Sequence, residues 1–388
     1  MPPNNAPIDA RPLAGLRVLE LARVLAGPWM GQLLADLGAD VIKVESPQGD
    51  ETRSWGPPFI EQDGDKTAAY FYSCNRGKRS IIADFREPKG RETVRQLAAK
   101  SDVLIENFKV GGLKKYGLDA ATLGAAYPGL IYCSVSGFGQ DGPLASLAGY
   151  DFIIQGMSGI MDLTGESNGR PQKIGVAFAD IFTALYGVIA VQAALTTRNK
   201  TGKGCHIDIS LLDSMTGVLA NQALNHFAGK TPSRLGNAHP NIAPYQVFAA
   251  SDGEFIIACG NNAQFAALCN VLALENLPHD ARFCSNAARV KNRAAMSELI
   301  EQKTVRQNRE ALIEKCRSAG VPAGPINSVA ETFADPQITA RRMQLEIGGQ
   351  PALRTPILMD GNYFAPERPP PKLGEHTDEI LRELGIAE

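Results

Sequence analysis

Asp180 is the residue of this chain with the most chemistry open to it. It closes the short apolar run Gly175-Val-Ala-Phe-Ala-Asp180 and stands before Ile181 to Ala194, an apolar stretch with the character of a covered helix. As an N-cap, its oxygens would accept from the free N–H groups of the first helical turn. As a nucleophile among apolar neighbours, it would attack an activated acyl group and form a covalent intermediate. Taken alone, the stretch leans to the cap.

Other chemistries find less support. The 5 histidines include no His-x-x-x-His pair, so no metal is expected. The 7 cysteines (Cys74, Cys133, Cys205, Cys259, Cys269, Cys284 and Cys316) include no Cys-x-x-Cys pair. That pattern suits reduced, buried thiols in a cytoplasm-like compartment. No Gly-x-Ser-x-Gly elbow occurs, and Gly-Met-Ser-Gly at 156–159 has the wrong spacing for a serine hydrolase. Gly137-Phe-Gly-Gln-Asp-Gly142 matches Gly-x-Gly-x-x-Gly after a strand, but the dinucleotide fingerprint needs its third glycine to open a helix. Here Gly142-Pro143 runs into Leu-Ala-Ser-Leu-Ala-Gly149, so the expectation is a glycine-rich turn at a ligand edge, with no nicotinamide.

The elements that must position these residues follow from patterning. With 388 residues, 44% apolar and 21% charged, the chain is long enough for two or three globular domains. A net charge of -2 makes nucleic acid an unsuitable partner. No uninterrupted apolar run of about 18 residues appears, so no membrane span is expected. The first residues lack an apolar signal core, which adds to the cytoplasmic expectation.

Leu16–Leu21 reads as a buried strand, Ala26-Gly27-Pro28 as a break, Trp29–Leu37 as a helix and Ala39–Glu45 as a second strand. That succession is a βαβ unit with parallel strands. Further strands at Ser80–Asp84, Asp102–Glu106 and Leu130–Ser134 alternate with a helix at Glu87–Ala99 and a short basic helix at 114–116. The pattern predicts an α/β fold with a Rossmann-like open sheet, whose ligands bind at the carboxyl edge. A strand at Cys205–Ile209 and a helix at Leu211–Ala228 follow. Beyond them, a hairpin across Ser251-Asp-Gly253 and helices at 263–274, 289–303 and 308–319 predict a small α+β domain. The expected division is a large domain over 1–229, the small domain over 230–325, and a return segment over 326–388 that completes the large domain. Gly320–Pro325 reads as a link and Thr377–Leu384 as a last helix.

At this point the chain resembles the family III (CaiB/BaiF-type) CoA-transferases over nearly its whole length. The resemblance rests on Arg23-Val-Leu-Ala-Gly-Pro28, Leu37-Gly-Ala-Asp-Val-Ile-Lys-Val-Glu45, Gly49-Asp-Glu-Thr-Arg53 and Asn75-Arg-Gly-Lys-Arg-Ser80. It continues through Asp102-Val-Leu-Ile-Glu-Asn-Phe108, Ser136–Pro143, Gly175–Asp180, Lys200-Thr-Gly-Lys-Gly204 and Leu373-Gly-Glu-His-Thr377. It implies a large domain built from both chain ends, a small domain, and a homodimer of interlocked rings. It implies that Asp180 is the covalent nucleophile and that coenzyme A is bound as acyl-CoA substrate and product.

The positions matching the family's CoA pocket are Val24 and Ala26 in the first βα loop, Ala83 and Arg86, then Asn107 and Phe108, then Lys115, Tyr116 and Ser136. Arg86 and Lys115 suit phosphates, and the competing reading for both is solvated surface charge. Phe108 and Tyr116 suit the core equally well, and Glu45 suits a strand-end structural role. Candidates for the substrate and its oxyanions are Leu25, Tyr70, Gly137, Phe138 and Tyr150, with Gly260, Asn261 and Asn262 in the small domain. Formyl-CoA:oxalate transferases carry Gln where this chain has Leu25, and a glycine run where it has Gly260-Asn261-Asn262. The pairing resembles instead transferases of short dicarboxylates, with acetyl-CoA or succinyl-CoA as donor and oxalate or glutarate as acceptor.

Two rival readings stand beside it. A 2-methylacyl-CoA racemase of the same fold needs a His beside its Asp, where this chain reads Ala148-Gly-Tyr-Asp151; a tyrosine is a poor base at neutral pH. A non-catalytic CoA-binding module would lack the aspartate that is present at 180.

Overall fold

The computed structural model describes residues 4, 5, 7, 11–62 and 64–386. Its main sheet contains β1 (Arg17–Glu20), β2 (Asp40–Glu45), β3 (Lys78–Ile82), β4 (Val103–Glu106), β5 (Ile131–Ser136) and β6 (His206–Ser210). They lie in the order β3-β2-β1-β4-β5-β6, all pairs parallel. This is a doubly wound order, in which the winding reverses between β1 and β4, and the loops leaving those two strands part to open a crevice.

Both faces of the inner strands are covered, as their adjacent Val, Leu and Ile residues require. Val18, Val41, Val103, Ile131 and Cys133 share one core with Met30 and Leu34 of α1 (Ala26–Asp36). Leu19, Ile42, Leu104 and Tyr132 turn the other way and pack with Val94 and Leu97 of α2 (Pro88–Ala99). Each such side chain contributes about 1.5–3 kcal/mol by leaving water. The last helix, Thr377–Leu384, inserts Ile380 into this second core, and its Glu379 and Glu383 pair with Arg79 of β3 at 2.9 and 2.6 Å. The two ends of the chain thus meet on one sheet.

Two more helices bring the site together: α3 (Asp151–Met157) and α4 (Phe178–Thr201). Residues Ala184 and Val191 of α4 pack into the first core. Gly187 lies so close to Met30 that any side chain there would collide with its sulfur. Among the described residues, α4 is the one helix long and apolar enough to cross a membrane by length and composition. Seven of its residues, from Ala179 to Leu195, are buried within this unit, while Leu185, Tyr186 and Ile189 are exposed.

The chain divides into two compact units. The first takes the described residues of Met1–Ile160, Lys173–Leu224 and Asp335–Glu388, and the second takes Met161–Gln172 and Asn225–Ala334. The second unit therefore differs from the predicted 230–325 span. Arg234 ties 161–172 to it through Asp162 at 2.8 Å, and Gly236 N–H donates to the Gly165 carbonyl at 3.2 Å. Within this unit, the predicted hairpin is β7 (Tyr245–Ala250) against β8 (Gly253–Ala258). The predicted link at 320–325 is instead partly a strand, β9 (Ala323–Pro325), antiparallel to β8. Phe248, Phe255, Phe265, Phe283 and Met296 fill its core.

Other boundaries also moved. Leu211–Ala228 is broken into Leu211–Gly217 and Ala220–Phe227, with Ala220 at φ +46°. The helix expected over 289–303 is Asn286–Lys291 and Arg293–Thr304. A hairpin of Phe59–Gln62 with Asp65–Ala68 was not expected, because its polar residues carry no apolar alternation. Cys205 and Cys284 are exposed free thiols, against the expectation that all would be buried.

Candidate active site

Asp180 sits at the carboxyl edge of the sheet, but not as a cap. Helix α4 begins at Phe178, three residues before the predicted Ile181, so Asp180 lies in its first turn. The N-cap Ala177 makes no side-chain bond, and the capping role falls to Asp151, whose Oδ1 accepts the Ala179 N–H at 2.8 Å. The Asp151 carboxylate is steadied in turn by Gln155 Nε2 at 2.8 Å.

The Asp180 carboxyl is half-buried in a cavity of about 430 Å³, which is within the range for small-molecule sites. Burial, reinforced by the charge of Asp151, pushes its pKa up to about 7, while a hydrogen bond from the Ala26 backbone N–H opposes the rise. A poorly solvated carboxylate facing a cavity has the chemistry to attack an electrophilic carbonyl there without a separate base.

This cavity is lined by Val24, Leu25 and Ala26 after β1, Asn107 and Phe108 after β4, and Ser136 and Gly137 after β5. Tyr150 also lines it, 58% exposed at the start of α3. Gly137 and Gly149 are in backbone contact, since a Cβ added to either would lie 2.5 Å from the other's Cα. The glycine-rich turn is therefore held against the loop carrying Tyr150, and Gly142 opens no helix. Asn107 faces the chain more than the cavity: its Oδ1 accepts the Arg23 N–H at 2.9 Å and its Nδ2 donates to the Arg23 carbonyl at 2.6 Å. Ser136 Oγ accepts the Gly139 N–H at 2.9 Å.

A neighbouring cavity of about 330 Å³ shares Arg23, Phe108 and Gly112 with the first. It collects the remaining predicted CoA positions: Ala83, Arg86, Lys115 and Tyr116. Phe85 stands edge-on to both Phe108 and Tyr116, at 5.5 and 5.3 Å, and so builds an aromatic wall. Arg86 is exposed and pairs with Asp84 at 2.6 Å, which raises its pKa through that hydrogen bond and charge. Lys115 Nζ lies 4.9 Å from the Tyr116 ring centre. Glu45, which also lines this cavity, is bound to Arg53 at 2.7 Å and to Ser80 at 2.6 Å, as its structural reading implies.

The structure does not gather every candidate. Phe138 packs against the first core and lines neither cavity. Tyr70 also lies outside both linings, edge-on to Trp55 at 5.2 Å, with its phenol pKa raised by burial and then by the Asp180 charge. Gly260, Asn261 and Asn262 belong to the second unit. There the Gly260 N–H donates to Gln264 Oε1 at 2.8 Å, Asn261 caps the helix Asn262–Val271, and the Asn262 side chain is held by Arg289 at 2.9 Å. The sequence also passed over Arg23 as a site residue, although it lies in the loop that leaves β1. It lines both cavities, lies 5.4 Å over the Phe108 ring and pairs with Glu51 at 3.0 Å.

A parallel sheet with a carboxylate and a basic, aromatic-walled cavity at its carboxyl edge places the chain among α/β proteins that hold a ligand on that edge. Comparison with known proteins gives the particular family. A model of CoA-transferase family III matches residues 13–377. A succinate–glutarate CoA-transferase from Agrobacterium fabrum is 52% identical over 100% of this chain and 98% of its own. An acetyl-CoA:oxalate CoA-transferase from Acetobacter aceti is 39% identical over 97% of each. A crystal structure of a CAIB/BAIF family protein from Brucella suis superposes with a TM-score of 0.88 at 61% identity, covering 96% of this chain and 99% of that one. The chain belongs to CoA-transferase family III and is a CoA-transferase.

Proposed function

We propose that this enzyme moves coenzyme A from a short acyl-CoA of the succinyl or acetyl type to a small dicarboxylate such as glutarate or oxalate. The observation that carries the mechanism is Asp180, with its pKa raised to about 7, in the cavity bounded by the loops after β1, β4 and β5. Its carboxylate attacks the thioester carbonyl, forming an acyl–aspartyl anhydride and releasing CoA thiolate. The thiolate attacks the aspartyl carbonyl, forming an aspartyl-CoA thioester and releasing the donor acid. The acceptor carboxylate then attacks this thioester, and the freed thiolate takes the new acyl group from the second anhydride. No proton is gained or lost over the cycle. Such intermediates hydrolyse, so the site must exclude water.

The two linked cavities suit one extended CoA. Its phosphates would meet Arg86, Lys115 and Arg23, and its thiol end would reach Asp180 past Phe108. The acceptor class is proposed from the similarity to the Agrobacterium and Acetobacter enzymes. A homodimer is proposed with it: Leu185, Tyr186 and Ile189 on α4, with Phe152 and Ile153 on α3, form an apolar surface that a second copy would cover. A reducing, cytoplasmic setting agrees with free cysteines throughout. The substrate proposal is tested by incubating the enzyme with succinyl-CoA or acetyl-CoA and separate dicarboxylates. Chromatography should detect glutaryl-CoA or oxalyl-CoA, and the absence of both would remove the substrate class.

A further inference from the structure

Val24 has φ +71°. That left-handed conformation is strained for a β-branched residue and persists only where its surroundings over-determine it. Here they do. Asn107 clamps both the N–H and the carbonyl of Arg23, one residue earlier. The Val24 N–H itself points between the two Asp50 oxygens, at 3.3 and 3.4 Å. Asp50 is 2% exposed and accepts the Thr52 N–H and hydroxyl at 3.0 and 2.8 Å. It pairs at 3.0 Å with Lys43, which is wholly buried and also held by Glu20 at 3.1 Å and by the Ala22 carbonyl at 2.9 Å. A buried ionic network thus ends on a strained peptide, and two residues further on the Ala26 N–H faces Asp180. Capping Thr52 would account for an Asp at 50; it would not account for the strain at Val24.

We infer that Asp50 is a positioning residue for the transfer reaction, holding Val24 in its left-handed turn so that the Ala26 N–H is aimed at the Asp180 carboxylate. The inference rests on Asp180 being the nucleophile. Asp180 is faced by the Asp151 carboxylate, the Tyr70 phenol and the Ala26 N–H; Asp50 is faced by the Lys43 ammonium, with Glu20 and Glu45 behind it, and by Tyr70 and Cys74. Loss of the Ala26 bond removes the interaction that favours ionised Asp180, so its acid limb moves to higher pH.

The test is a cycle of Asp50→Ala, Val24→Gly and the double variant, read as the rate of Asp180 adduct formation from acyl-CoA across pH. Glycine adopts the left-handed turn without strain, so it should make Asp50 less necessary. Asp50→Ala should slow adduct formation about tenfold and raise the acid limb, and the double variant should recover a good part of both. Asp50→Asn, which keeps an acceptor for the Thr52 N–H, goes through the same cycle if the alanine variant does not fold. Wild-type adduct formation with unchanged rate and acid limb in the Asp50 variants, or no recovery in the double variant, overturns the inference and leaves Asp180 standing. No adduct in the wild type overturns both.

Discussion

Asp151 and Asp180 meet at the first turn of one helix: Asp151 accepts the N–H of Ala179 at 2.8 Å, and its charge helps lift the Asp180 pKa to about 7. A residue that caps the helix is thereby coupled to the reactivity of its neighbour. Asp151→Asn keeps an acceptor for Ala179 and removes the charge. The Asp180 pKa should fall, moving the acid limb of kcat/KM to lower pH. A pH–rate profile of wild type and variant checks this, and an unmoved limb would contradict it.

The same shift has a consequence for stability. The folded pKa of Asp180 lies above that of an exposed carboxyl, so the folded state binds the proton more tightly. Stability contributed by the protonated form is therefore lost as pH rises toward about 7, and the cost of the buried charge persists above it. Asp180→Asn should raise Tm relative to wild type at pH 8, by more than it does at pH 5. Melting curves at the two pH values decide it.

Glu20 is buried between two ammonium groups, Lys43 at 3.1 Å and Lys78 at 2.8 Å. Glu20→Gln leaves both cations without that charge under α1. It should cost about 3–5 kcal/mol, seen as a lower urea midpoint. A loss under about 1 kcal/mol would mean that Asp50 and Asn75 satisfy the lysines unaided.

Arg86 and Lys115 line the outer cavity, and Arg86 is exposed and pairs with the half-buried Asp84. Replacing either by Ala should raise KM for acyl-CoA several-fold at low salt and by less in about 0.5 M salt, with kcat little changed. A fall in kcat at unchanged KM would place neither cation on the phosphates.

The large unit was legible in the sequence because its inner strands, such as Arg17–Glu20 and Val103–Glu106, are buried on both faces and carry adjacent Val, Leu and Ile residues. Its carboxyl edge follows from that order, which is why Val24 to Ala26, Asn107, Ser136 and Gly137 fall beside Asp180. The start of α4 was misplaced because Phe178-Ala-Asp180 is as apolar as the helix it opens, and the cap that marks it, Asp151, is remote in sequence. The strand Ala323–Pro325 was hidden by Gly324 and Pro325, residues that an edge strand accepts. Asp50 and Arg23 were missed as site residues because one acts through another residue's backbone, and the other reaches its cavities only once β1 and β4 lie side by side.

In the proposed transfer, Asp180 carries first the acyl group and then CoA. The most direct test is intact-protein mass spectrometry after incubation with succinyl-CoA or acetyl-CoA and hydroxylamine, which converts an aspartyl anhydride or thioester to a hydroxamate, a gain of about 15 Da. The wild type should show that gain on the peptide bearing Asp180, and Asp180→Ala should show none. No gain with either donor, together with solvent deuterium entering the carbon next to the thioester, would contradict it and restore the racemase.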